Sequence, residues 1–188
     1  MDFLNFGKEG SYVNPGINEG AKLLAFEYSA NENAEALKLE FKVNGDNTFK
    51  RLIYNNLDNA RPFSNESDED AKKREIGSLN AKLRSILCNF VTEEQLIARL
   101  KEMKPTDFKS LIDCYKSLLP NDFSERTGRL VLVYKNNGFL ELAQPYQVAS
   151  RKFFSLSEKD NMNVIAKYQD KLKEPSDKEE QNDLPFIV

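Results

Sequence analysis

Residues 35–55, "EALKLEFKVNGDNTFKRLIYN", decide the fold class. Leu37, Leu39, Phe41 and Val43 alternate with Lys38, Glu40 and Lys42, and a period of two is that of a strand with one face buried. "NGDN" at 44–47 is a hairpin signal, because Asn-Gly tolerates the positive φ values of a tight turn. "TFKRLIYN" (48–55) then reads as the returning strand. Upstream, "EGAKLLAFEYSA" (19–30) is rich in apolar and aromatic residues and joins the pair through the turn-like "NENAE" (31–35). Three consecutive strands predict an antiparallel meander.

Downstream the period changes. After the polar stretch "RPFSNESDED" (61–70), with Ser67 placed to cap a helix, Ile76, Leu79, Leu83, Ile86 and Leu87 fall at three- and four-residue spacings, the signature of one buried helix face over 68–89. "TEEQ" (92–95) is a capping box opening a second helix to about Met103, with Leu96, Ile97 and Leu100 inward. "PTDF" (105–108) opens a third, whose stripe is Leu111, Ile112, Tyr115, Leu118 and Leu119, stopped by Pro120. The chain then returns to strands: "GRLVLVYK" (128–135), the turn "NNG" and "FLELAQ" (139–144). Ser157 is placed to cap a last amphipathic helix to about Lys173, with Val164, Ile165, Tyr168 and Leu172 on one side, and Pro175 ends it.

Three strands, helical material and two strands is the element order of an OB-fold. The expected fold is therefore α+β: an OB-like five-stranded antiparallel β-barrel over residues 1–156, with a large helical insertion at about 66–120 between strands 3 and 4. A C-terminal helix (157–173) and an acidic tail (174–188) follow. The same order also fits a small α+β sandwich.

Composition narrows the function. The 188 residues are 40% hydrophobic and 30% charged with a net charge of −3, an ordinary globular balance. No apolar run reaches the roughly 20 residues of a membrane span, so the expected location is cytoplasmic. Histidine is absent, which removes the commonest general base and zinc ligand. No phosphate-binding glycine loop, dinucleotide fingerprint or nucleophile elbow is present. Cys88 and Cys114 read as reduced core thiols. No catalytic residue, metal ligand or cofactor is expected.

The charge is unevenly spread. Residues 174–188 carry five carboxylates against Lys178, so the first 173 residues are at +1; "SNESDED" (64–70) holds four more, leaving +5 on the remaining 166. That is a mildly basic body with two acidic segments. The last segment closes in "DLPFIV", large apolar residues after an acidic linker.

Asp183, Leu184, Pro185 and Phe186, behind that linker, resemble the C-terminal docking peptide of bacterial and phage single-stranded-DNA-binding proteins. The likeness covers about ten residues of tail together with the strand order. It implies an OB body that coats single-stranded DNA and a tail that recruits replication or recombination proteins, in a host cytoplasm if the chain is phage-encoded. The opening "NPGINEGAKLLAFEYS" looks closer to the phage members. Two departures stand out: Ile187 and Val188 follow the Phe and displace the α-carboxylate, and the body has no tryptophan and an enlarged helical insertion. Tethered at roughly millimolar effective concentration, such an acidic tail competes with nucleic acid for a basic groove. The plainer alternative is that "LPFIV" packs on its own domain.

Single-strand binding needs cations for the backbone and aromatic platforms for the bases. The expected nucleic-acid-binding residues are Lys38, Lys42, Lys50, Arg51 and Tyr54 on the second and third strands, Arg129 and Lys135 on the fourth, and Arg151, Lys152 and Phe153, with Phe154, in "RKFF". Glu40 and Glu141 interrupt these positive faces, and lysines on a strand face often serve only solvation. The competing function is a phage structural or adaptor module that binds protein and no nucleic acid.

Overall fold

The computed structural model describes residues 13–43, 45, 47–56 and 60–174. The expected meander forms: β1 (Gly16–Ala30), β2 (Glu35–Val43) and β3 (Asn47–Tyr54) pair antiparallel in sequence order. Three helices follow, α1 (Asp68–Leu87), α2 (Glu93–Met103) and α3 (Phe108–Lys116), then β4 (Gly128–Tyr134), β5 (Leu140–Leu142) and β6 (Phe154–Ser155). Short 3-10 helices occupy Pro145–Gln147 and Ala166–Leu172. No helix is long and apolar enough to cross a membrane among the described residues.

The sheet runs β3-β2-β1-β4-β5, with β6 also on β4. A meander whose fourth strand returns beside the first is a Greek key. β1 makes this possible, because its first part pairs β4 (Gly16↔Leu132 to Ala21↔Gly128) and its remainder pairs β2 from Lys22↔Lys42 onward. A bulge interrupts the β1–β4 ladder between Glu19 and Ala21, at Gly20, whose φ of +72° suits glycine; a bulge bends the strand and sharpens its twist. Gly128 has a different reason: a Cβ there would lie 2.5 Å from the Ser155 carbonyl oxygen, so only glycine lets β6 approach β4.

The closed five-stranded barrel does not form. β3 and β5 remain the ends of an open sheet, β5 being only three residues long. Glu75, Ser78, Leu79 and Lys82 of α1 face Arg51–Tyr54 across a small pocket. The apolar side of α1, Leu79, Leu83, Ile86 and Leu87, joins Leu23, Phe26, Leu37, Leu39, Phe41, Leu130 and Phe154 in a single core. Arg51 Nη2 of β3 reaches Glu141 Oε2 of β5 at 3.4 Å, so the two ends are tied by side chains where a ladder was expected.

Buried Ser85 of α1 anchors the insertion: its Oγ accepts from Phe153 N at 2.7 Å and Phe154 N at 3.4 Å. Asn89 donates to the Phe154 carbonyl at 3.0 Å and accepts from Leu156 N at 3.2 Å. The helix starts follow their sequence signals, with Ser67 capping α1 and a capping box at Thr92–Gln95. Ile76 and Ile97, expected inside, are exposed. The expected helix over 157–173 is also absent as such. Residues 157–165 run irregularly, Val164 pairs with Val148 in an isolated bridge, and only Ala166–Leu172 winds, as a 3-10 helix.

Candidate nucleic-acid interface

Residues opposite one another in a ladder point to the same side of the sheet. The register of β1, β2 and β3 therefore fixes four rows on the face away from the core: Lys22, Lys42 and Thr48; Ala25, Glu40 and Lys50; Glu27, Lys38 and Leu52; Ser29, Ala36 and Tyr54. The inward rows hold Leu23, Phe41 and Phe49, then Phe26, Leu39 and Arg51. Four of the expected residues, Lys38, Lys42, Lys50 and Tyr54, thus share one outer face, and Lys22 joins them.

That face is positive but partly neutralised. Lys38 Nζ lies 3.9 Å from Glu27 and 4.0 Å from Glu40, and Lys50 Nζ lies 3.6 Å from Glu40. The open pair of Lys38 and Glu27 holds weakly, by a few tenths of a kcal/mol up to about 1, whereas Glu40, with its side chain 19% exposed, sits between Lys38 and Lys50 and offsets part of the positive face. Tyr54 is 51% exposed at the end of β3, beside the exposed Leu52. A ring on an open strand face offers a stacking surface that any base can use.

The other expected residues divide. Arg51 points inward along the seam and shares Glu141 with Lys135, whose Nζ is 3.3 Å from the carboxylate. Arg129 is committed to the chain itself, donating to the carbonyls of Ser157 and Asp160. Phe153 is in the core at 1% exposure and Phe154 at 0%, so neither can stack on a base; their pairing with Ser85 and β4 lies far off in sequence. Asp183, Leu184, Pro185 and Phe186 lie outside the described residues.

Arg151 and Lys152 belong to a second surface, a groove of about 750 Å³ between α1 and the 144–152 segment. Phe63 and Tyr146, 67% and 52% exposed, stand in its lining with Arg74 and Arg84. Its cations are mostly engaged: Arg74 stacks over Phe63 at 4.1 Å and bonds Glu66, Arg84 pairs with Glu93, and Lys152 bonds Asp160 at 2.9 Å. Burial pushes the Asp160 carboxyl up, but a hydrogen bond from Ser155, then the Lys152 ammonium, outweigh it and hold its pKa below the ordinary value. Arg151 adopts a left-handed φ of +60° and reaches the Tyr146 carbonyl at 3.5 Å.

Lys82 was not singled out by sequence. It is a lysine at a helical position whose setting depends on the open seam, and only a tally of α1 positions against β3 would have found it. Comparison with family models, with curated proteins and with solved structures gave no match to this chain.

Proposed function

We propose that this chain is a non-enzymatic single-stranded-DNA-binding protein, holding the strand across the outer face of β1–β3. The observation that carries the reading is the register that gathers Lys22, Lys38, Lys42, Lys50 and Tyr54 on one side of the sheet. The strand order supports it, since joining β3 to β5 would complete a five-stranded Greek-key barrel, and a partly open barrel of that kind is the OB architecture. In this reading the helical insertion takes the place of the missing ladder. The lysines bind phosphates and release counterions, and Tyr54 supplies sequence-tolerant stacking. The acidic C-terminal segment, with Asp183, Leu184, Pro185 and Phe186, recruits replication or recombination proteins in a phage-like system.

Fluorescence anisotropy of a labelled oligo-dT strand tests the reading directly. Binding that weakens steeply with salt supports it, and no binding at low salt ends it. One observation favours the adaptor alternative: the groove flanked by Phe63 and Tyr146 is large and lined by exposed aromatics, as protein-binding surfaces are. A partner held there by apolar contacts would stay bound at high salt, where phosphate contacts fail.

A further inference from the structure

The seam between β3 and α1 contains a lysine that no carboxylate reaches within ion-pair distance among the described residues. Lys82 is partly buried and lines a pocket of about 130 Å³ with Arg51, Tyr54, Asn56, Glu75 and Ser78. Among the described residues no hydrogen bond or ion pair engages it. Two carboxylates are near, and both serve other partners. Glu141 Oε2 is divided between Arg51 at 3.4 Å and Lys135 at 3.3 Å, while Glu75 Oε1 accepts from Arg74 Nη1 at 2.6 Å.

Burial is the largest influence on the Lys82 ammonium and lowers its pKa from the usual lysine value; Arg51 and Lys135 push the same way, and Glu75 and Glu141 push back. An ammonium drawn from water without a partner lowers stability, and an incoming anion relieves that cost. The pocket is too small for a drug-sized ligand, which needs roughly 300 Å³ or more. Its lining supplies a guanidinium, an ammonium, a hydroxyl and an amide, donors that suit a phosphate, against one carboxylate, Glu75, which is itself bonded to Arg74. Tyr54 forms part of the same lining while its ring stands on the outer face.

We propose that the seam pocket is a phosphate subsite, in which Lys82 and Arg51 take one phosphate of a single strand whose neighbouring base lies on Tyr54. This rests on the single-strand reading above for the source of the phosphate, and a free nucleotide or inorganic phosphate is the other source with the same chemistry.

The test is Lys82→Met in the full chain, which keeps the apolar stem and removes the charge, beside Lys101→Met on the exposed side of α2 as control. Oligo-dT binding by Lys82→Met is expected to be about tenfold weaker at low salt, as for loss of one charge-assisted hydrogen bond. Its log–log salt slope should be shallower by about 0.7, one phosphate fewer. The unfolding temperature should hold or rise, because an uncompensated charge has gone; a lysine with a purely structural role would lower it. Phosphorus NMR with thymidine monophosphate and with inorganic phosphate separates the sources. Lys82-dependent binding of oligo-dT alone assigns the pocket to the strand, and Lys82-dependent binding of the free anions as well assigns it to phosphate from either source. If the anions bind through Lys82 while wild type ignores oligo-dT, the subsite stands and the single-strand reading falls. Oligo-dT and phosphate binding both unaltered in Lys82→Met overturns the subsite and leaves the single-strand reading intact.

Discussion

Tyr28 donates a hydrogen bond to Glu35 Oε1 at 2.5 Å, and Asn55 donates to Glu35 Oε2 at 2.9 Å, so one carboxylate ties β1, β2 and the end of β3 together. The bond from Tyr28, then that from Asn55, holds the Glu35 pKa below its ordinary value, and the bond to Glu35 pushes Tyr28 up to about 12. The signs give two windows. A raised tyrosine contributes stability that is whole below its unfolded value near 10 and is lost as pH climbs towards about 12. A depressed carboxylate contributes above its unfolded value, and that contribution fades as pH falls through its folded one. Denaturant midpoints measured against pH should therefore show wild type more stable than Tyr28→Phe at neutral pH, with the gap closing above pH 10. A gap constant across that range would mean the bond does not carry the difference. At the proposed binding face, Tyr54→Ala should weaken oligo-dT binding by about 1 to 3 kcal/mol, the range of one base–aromatic stack, and leave the unfolding midpoint nearly unchanged because the ring is exposed. Unaltered affinity would remove Tyr54 from the interface. Lys38, Lys42, Lys50 and Tyr54 could be placed from sequence because strict alternation fixes a strand's faces. Phe153 could not, because its burial depends on a two-residue strand meeting β4 and on Ser85, 68 residues away.

At the scale of elements, the point of attachment of the insertion is Ser85. It is buried, and it accepts from the two consecutive backbone amides that lead into β6. Ser85→Ala would strand those donors away from water, a change worth about 1 to 3 kcal/mol, with denaturant unfolding as the readout; a loss well under 0.5 kcal/mol would show that the amides find other partners. The elements themselves were legible where local chemistry is strong. β2 matches its sequence bounds at 35–43, and α1 and α2 begin at their caps. The segment 157–173 departs from its helical sequence pattern for a definite reason. Val164, Ile165, Tyr168 and Leu172 have helical spacing, yet Val164 bridges to Val148 and Ile165 N bonds the Gln147 carbonyl at 2.8 Å. Tertiary pairing takes the backbone groups that the first turns of a helix would need.

At the scale of the molecule, a Greek-key sheet is left open at β3 and β5, with Arg51 and Glu141 bridging its ends and α1 facing β3 across a small pocket. Five strands and their succession were legible in the element order, but the two-residue β6 was not, and closure depends on β5 being too short to pair β3, which no local pattern records. The same opening creates the pocket that holds Lys82, so the feature hardest to read from sequence is also the one with the most pointed chemistry. If the acidic C-terminal segment competes for the basic face, removing the residues after Lys173 should tighten oligo-dT binding, most at low salt where charge is least screened; equal affinity of the two chains would assign that segment to partners alone. The central claim is that the outer face of β1–β3 binds a single strand through phosphates. Oligo-dT anisotropy of the full chain across a salt series measures it most directly. With Lys22, Lys38, Lys42 and Lys50 each meeting one phosphate, log affinity against log salt should fall with a slope of about −3, or about −3.5 with the seam pocket taking a fifth. A flat salt dependence, or no anisotropy change at the lowest salt, would contradict it.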